Sequence, residues 1–239
     1  MTQSALQIQT LNQRFESAHP RLVLDWVLRH YDRRAAVVTS FQPTGIVTLH
    51  MLHEITSSRG LPLPDVLTLD TGLLFDESLA LMDAVEERFG LQVIRVRPAL
   101  TVEEQERTYG PALWDRCPDV CCRLRKVEPL RQALASYDAW LTGLRRDQSH
   151  TRQVTPVFGW DGQYDLLKVA PLATWTEEMI WTYIHAHELP YNSLHDRGYP
   201  SIGCAPCTQP VTAQTDDQRA GRWSDRAKSE CGIHSPPGT

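Results

Sequence analysis

Six cysteines are spread along the chain, and their spacing sorts them by chemistry. Cys121 and Cys122 are adjacent, while Cys204 and Cys207 bracket C-A-P-C. Four thiolates are the usual donor set of an iron–sulfur cluster or a structural zinc. Zinc ordinarily takes two spaced pairs, whereas neighbouring cysteines suit a polymetallic cluster whose separate irons each accept one of them. Two alternatives stand beside metal binding: packed helix thiols for Cys121 and Cys122, and a redox dithiol for C-A-P-C. A dithiol of that kind belongs after an early strand, and C-A-P-C stands late, behind a loop holding Gly198, Pro200 and Gly203. Cys231 lies in S-E-C-G-I-H, a polar segment that offers a structural cysteine no apolar run to pack in. A thiol there suits nucleophilic work, because thiolate forms more readily beside cations than in an apolar core. A dispensable surface thiol is the alternative. Cys117 fits neither group and reads as packing or an incidental thiol.

Basic residues gather as Arg123, Arg125 and Lys126, as Arg145 and Arg146, and as Arg219 and Arg222. Arginine gives an oxyanion charged, directional donors. Arg123, Arg131 and Arg226 read instead as solvated helix faces. S-F-Q-P-T-G, residues 40–45, follows an apolar run and precedes a helical one, so a helix N-terminus there offers free amides to an anion. A turn containing Pro and Gly forms without any ligand as well. His50, His53 and Glu54 share a helix, but H-M-L-H-E is not a zinc-protease spacing, and exposed helix residues account for them.

The elements that position these groups alternate. R-A-A-V-V-T-S-F, D-V-L-T-L-D and L-Q-V-I-R-V-R-P are short β-branched runs, separated by I-V-T-L-H-M-L-H-E-I and by D-E-S-L-A-L-M-D-A-V-E-E-R-F-G. In the second helix Leu79, Met82, Val85 and Phe89 keep helical spacing, and Gly90 stops it. The pattern predicts an α/β fold, an open and mainly parallel sheet with helices on both faces. A helical lead-in precedes it over residues 1–34. A charged helix follows near 101–109, then a mixed helical stretch over 120–137 that Pro129 bends or divides. D-A-W-L-T-G-L is a fourth strand, and residues 155–172 form a hairpin turned at Asp161 and Gly162. Thr174 and Glu177 match a capping box ahead of the last helix. Residues 1–210 read as one α/β domain and 211–239 as a flexible tail, with Gly221 and Gly232 as hinges and S-P-P-G-T disordered.

Composition narrows the class. A net charge of −5 over 239 residues argues against non-specific nucleic-acid binding. No apolar stretch approaches the roughly 18 residues of a membrane span. The N-terminus shows no basic flank before an apolar core, so a cytoplasmic location is expected, where thiols stay reduced.

Five motifs in order, C-C-R-L-R-K-V-E-P-L-R-Q-A-L, T-G-L-R-R-D-Q-S-H-T-R, L-H-D-R-G-Y-P-S-I-G-C-A-P-C-T-Q-P-V, R-A-G-R-W and E-C-G-I-H, resemble the assimilatory adenylyl-sulfate reductases. These are the iron–sulfur branch of the adenylyl/phosphoadenylyl sulfate reductase family, and the resemblance spans roughly residues 37–234. It implies an ATP pyrophosphatase-like (adenine nucleotide α hydrolase-like) fold and a 4Fe–4S cluster on Cys121, Cys122, Cys204 and Cys207. It implies adenylyl sulfate as substrate and thioredoxin as reductant. Cys231 would attack the sulfonate sulfur, expel AMP and carry a thiosulfonate. Ser40, Phe41, Gln42, Thr44 and Gly45 would hold phosphate and sulfate, and Asp70, Thr71 and Gly72 the adenosine. Arg145, Arg219 and Arg222 would meet the phosphosulfate, with Lys126 between cluster and substrate and His234 near the reacting sulfur. Asp147, Gln148 and Ser149 would shape their loop. Many cluster-bearing relatives carry an acidic S-G-A-E-D type loop where this chain has S-F-Q-P-T-G, which is similar to relatives that accept a 3′-phosphate. Phosphoadenylyl sulfate therefore stays open as a substrate, and so does homo-oligomerisation. A sulfurtransferase would want an S-G-G-x-D-S loop that residues 40–45 lack. A non-catalytic metal module would want a continuous basic stripe.

Overall fold

The computed structural model describes residues 3–211, 217–224, 226 and 228–234; the S-P-P-G-T end, expected to be disordered, lies outside them. The helical lead-in is two helices, α1 (Gln3–Phe15) and α2 (Pro20–Tyr31). The strands are β1 (Ala35–Val38), β2 (Asp65–Leu69), β3 (Val93–Val96), β4 (Ala139–Thr142), β5 (Phe158–Asp161) and β6 (Leu166–Val169). They form one sheet in the order β3-β2-β1-β4-β6-β5, parallel throughout except for the β5–β6 hairpin. The other helices are α3 (Pro43–Arg59), α4 (Asp76–Phe89), α5 (Val102–Tyr109), α6 (Leu113–Arg116), α7 (Pro118–Cys122), α8 (Glu128–Leu134) and α9 (Glu177–Ala186).

β1 is buried at every position, as a central parallel strand must be. Its side chains alternate between two cores. Ala35 and Val37 join Phe15, Val27, Leu52, Val85 and Ile180 on the face covered by α1, α2, α3, α4 and α9. Ala36 and Val38 join Trp140, Leu130 and Leu134 on the other face, where α8 and Ile233 complete a smaller core. The C-terminal segment is thus part of one face of the sheet. Strands β2 and β3 are added on one side of β1 and β4 onward on the other, so the loops after the parallel neighbours β1 and β4 part and open a crevice beyond their C-terminal ends.

Several local expectations change. Helix α9 is capped by Thr176, whose hydroxyl accepts the Met179 N–H; Thr174 sits upstream, in a turn closed by Trp175 N–H on the Leu172 carbonyl. The stretch expected to break at Pro129 changes pitch before it instead. A π-turn over Arg123–Val127 joins α7 to α8, and Pro129 falls in the first turn of α8, where its missing N–H is harmless. Arg226 is no solvated helix residue: it donates to the Trp114 carbonyl at 2.8 Å and to the Asp115 carboxylate at 2.6 Å. His50 is largely covered, sharing a 3.0 Å hydrogen bond with the Tyr183 hydroxyl. Gly221 is pressed against the Gln209 carbonyl, where any Cβ would collide, so close packing explains it rather than a hinge. Cys117 is exposed, which leaves the incidental thiol of its two readings.

Candidate active site

The loop after β1 and the loop after β4 build the floor of one cavity. They meet tightly: a Cβ on Gly45 would strike the Thr39 side chain, and one on Gly143 would touch the Gly45 backbone. Gln42 ties this floor to the later loop by accepting the Ile202 N–H at 2.9 Å. Arg145, almost fully buried, donates to Thr44 Oγ1 at 2.5 Å, to the Asp147 carboxylate at 2.9 Å and to Gln218 Oε1 at 2.9 Å. Asp147 also accepts the Glu177 N–H at 2.6 Å, which anchors the Arg145 loop to the start of α9.

Ser40, Gln42, Thr44, Gly45, Thr71, Lys126, Arg145, Arg219, Arg222 and His234 line this cavity together with Cys204 and Cys231. Four residues expected at a substrate stand outside its wall. Phe41, in the left-handed region at φ 55°, buries its ring in the larger core and anchors the loop. Asp70 turns its carboxylate to Arg97 at 2.9 Å and to the Gly72 N–H at 3.2 Å. Gly72 takes φ 68° with the Arg125 guanidinium where a side chain would stand. Asp70 and Gly72 therefore fix the turn that presents Thr71, and Asp147 acts on Arg145.

The π-turn brings Arg125 and Lys126 inward. Arg125 donates to the Thr71 carbonyl at 2.6 Å and to Gln105 Oε1 at 3.1 Å. Burial alone would depress the Lys126 ammonium; Cys204, Cys231 and Cys122 around it outweigh that and raise it. Cys121, Cys122 and Cys204 are buried and Cys207 is half-buried. Burial pushes the Cys121 thiol up to about 11 and Cys122 up to about 12, with Cys204 adding to both. Cys204 feels the same burial, but Lys126 and the Thr71 hydroxyl, 3.3 Å from its sulfur, bring it below the ordinary thiol value. Arg222 is packed where a Gly203 side chain would be, with its Nε buried and unpartnered among the described residues.

Cys231 is half-buried on the cavity wall, and the segment carrying it is tied down on both sides. Lys228 pairs with Asp119. Glu230 meets Arg152 at 2.7 Å and Arg219 at 3.2 Å. The Gly232 carbonyl accepts from Gln163 at 3.2 Å, and the His234 ring stacks on Trp140 with centroids 5.4 Å apart and planes 9° apart. Burial first, then Lys168, Arg152 and Arg219, hold the imidazole well below its ordinary value, so it is neutral near pH 7. Arg219 is itself lowered to about 10, chiefly by burial. The cavity encloses about 190 Å³, with the Cys231 segment as one wall; small-molecule pockets usually offer roughly 300–1,000 Å³. Arg152, Glu230, Gln163 and Trp140 were not foreseen as site residues. Arg152 and Glu230 do stand inside two of the quoted motifs, but nothing in the sequence pairs residues that far apart.

A mainly parallel sheet with helices packed against it and an arginine-lined crevice at the switch point places the chain in the α/β class, with an adenine nucleotide α hydrolase-like fold. Residues 34–210 match the family described as phosphoadenosine phosphosulfate reductase domain, and the chain belongs to that family. It is 45% identical over 234 residues to an adenosine 5′-phosphosulfate reductase of Salinibacter ruber, covering 98% of this chain and 91% of that one. It is 44% identical over 231 residues to a phosphoadenosine 5′-phosphosulfate reductase of Gloeobacter violaceus, covering 95% and 93%. The crystal structure of the phosphoadenylyl-sulfate reductase from Candida auris, a phosphate complex, superposes with a TM-score of 0.73 at 28% identity, covering 88% of this chain and 98% of that one. Among the described residues no helix is long and apolar enough to cross a membrane.

Proposed function

We propose that this protein reduces adenylyl sulfate to sulfite and AMP, using Cys231 as nucleophile and thioredoxin as the source of two electrons, in assimilatory sulfate reduction. The observation that carries this is the convergence of Cys231 with Lys126, Arg145, Arg219 and Arg222 on one cavity at the strand switch point. In the first step the Cys231 thiolate attacks the sulfonate sulfur. The bond from that sulfur to the phosphate oxygen breaks, and AMP leaves with the electron pair. Arg145, Arg219 and Arg222 hold the anionic phosphosulfate, and Lys126 offsets charge as it shifts onto the leaving phosphate. In the second step a thioredoxin thiolate attacks Cys231 Sγ, the S–S bond to the sulfonate breaks, and sulfite leaves with the pair. The second thioredoxin thiol then resolves the mixed disulfide and returns the Cys231 thiolate. A cysteine that meets first a nucleotide in a cavity and then a protein needs a tail that docks and releases, so we assign residues 211–239 that behaviour.

Cys121, Cys122, Cys204 and Cys207 would hold a 4Fe–4S cluster. Their chemistry fits: three buried thiols and one half-buried thiol interact electrostatically beside two inward cations, Arg125 and Lys126, that complement an anionic cluster. Among the described residues no group of three or more His, Cys, Asp and Glu side chains stands gathered as a metal site. The cluster would supply fixed charge and rigidity beside Lys126, while every electron comes from thioredoxin. Phosphoadenylyl sulfate is the second reading, favoured by one observation: residues 40–45 contain no carboxylate to repel an added phosphate. A sulfite-release assay with reduced thioredoxin and each nucleotide tests the assignment. Cys231→Ser should abolish release while nucleotide still binds; turnover by that variant would remove Cys231 from the mechanism.

A further inference from the structure

Cys231 is flanked by two anchors of different kinds. On one side the Gly232 carbonyl takes a single hydrogen bond from Gln163. On the other, the Glu230 carboxylate sits in a guanidinium fork: Arg152 Nε reaches Oε1 at 2.7 Å and a terminal nitrogen reaches Oε2 at 2.9 Å. Two parallel charge-assisted bonds fix direction as well as distance. The third arm of Arg152 donates to Gln148 Oε1 at 2.6 Å, and the same oxygen accepts the Arg145 N–H at 3.1 Å. The fork is therefore built off the loop that forms the cavity floor. Arg219 closes the opposite side, donating to Glu230 Oε2 at 3.2 Å and to the Ser229 carbonyl at 2.8 Å. Side-chain exposures of 11% for Arg152 and 18% for Glu230 separate this pair from the solvated ion pairs that contribute little. Arg152 and Arg219 both face the cavity, so the groups that would line the nucleotide also hold the residue beside the nucleophile.

We infer that Glu230 is a positioning residue: clamped by Arg152, its carboxylate sets Cys231 in register over the cavity for sulfonyl transfer and lets go before the reductant attacks. The inference rests on Cys231 being the nucleophile. It separates the two half-reactions. Glu230→Gln keeps the shape of the side chain and removes the charge, so transfer at saturating nucleotide should slow roughly ten- to a hundredfold, the usual worth of a buried hydrogen bond to a charged group. Nucleotide affinity should hold or tighten, because an anion beside the cavity is gone. Release of sulfite from the preformed adduct by thioredoxin should match wild type or exceed it.

The experiment is rapid-quench intact-mass measurement of adduct formation by anaerobic full-length protein with adenylyl sulfate, followed by a thioredoxin chase. The proteins are wild type, Glu230→Gln, Arg152→Met and the double variant. Slower transfer with undiminished affinity in Glu230→Gln, slower transfer at saturating nucleotide in Arg152→Met, and a double variant no slower than either, supports the clamp. Wild-type transfer rates in the single variants overturn it, as does a loss explained wholly by weaker nucleotide binding, or additive losses in the double variant. If wild type itself forms no adduct at Cys231, the underlying nucleophile assignment fails, an outcome distinct from a wild-type adduct whose rate ignores Glu230.

Discussion

Lowering the pH is expected to undock the segment that carries Cys231, and His234 sets the size of the effect. Its ring lies flat on Trp140 and its Nδ1 is buried without a partner among the described residues. Lys168 from β6, Arg152 from the loop after β4 and Arg219 from the tail all repel a charged imidazole. Glu230, four residues earlier in the same segment, is already engaged by Arg152 and Arg219. The docked state therefore takes the neutral ring, with a value well below the ordinary one, whereas a released tail titrates normally. Docking is then undiminished above the ordinary histidine value of about 6.5 and weakens as pH falls through it, by about 1.4 kcal/mol per unit until the docked-state value is reached. At about pH 5.5 the docking constant should be down roughly tenfold. Glu230 is held below the usual carboxylate range despite its burial, so it stays charged in this window. His195, lowered by burial to about 4, also faces the cavity and stays neutral in the docked state across this window. Hydrogen-exchange mass spectrometry of peptides covering residues 228–234, corrected for intrinsic exchange, reads the effect. Protection should fall on acidification in wild type and stay level in His234→Gln. Level protection in wild type, or an equal fall in His234→Gln, would refute the reasoning.

Three further outcomes follow from the same geometry. Lys126→Met should slow adduct formation by about 10²–10³-fold, the scale of losing one preorganised charged donor, read by single-turnover mass measurement. Trp140→Ala, which empties a fully buried site under β4 and removes the platform for His234, should cost about 3–5 kcal/mol in denaturant unfolding. Cys204→Ser should lower iron bound per chain in anaerobically purified protein, measured by colorimetric iron assay; full iron content in that variant would contradict the ligand assignment.

The sheet was legible because its strands are short β-branched runs between helices, a pattern that leaves few topologies. A-A-V-V declares a strand covered on both faces, and the β5–β6 turn announces itself through Asp161 and Gly162. The pitch change at Arg123–Val127 was not legible, since hydrophobic spacing that serves an α-helix serves one π-turn equally well. That turn is what carries Lys126 inward. T-W-T offers two threonines as the cap of α9, and the choice of Thr176 over Thr174 depends on a turn at Leu172 that the motif does not encode. At the site, the strand-end loops stand out in the sequence because ligands of open α/β sheets collect there, and Ser40, Gln42, Thr44 and Gly45 do line the cavity. Asp70 shares the strand-end position yet stands outside the cavity wall, and position alone does not reveal that its carboxylate pairs with Arg97. The Arg152–Glu230 clamp joins residues distant in sequence, and only the folded chain brings them together.

The central claim is that Cys231 receives the sulfonate. Intact mass of anaerobically purified, iron-containing protein mixed with adenylyl sulfate, and separately with phosphoadenylyl sulfate, tests it without any reductant. The account predicts a gain of one sulfonate group, mapped to Cys231 by peptide analysis and formed fastest with the preferred nucleotide. Unmodified protein with both nucleotides, or a sulfonate mapped to any other cysteine, would contradict it.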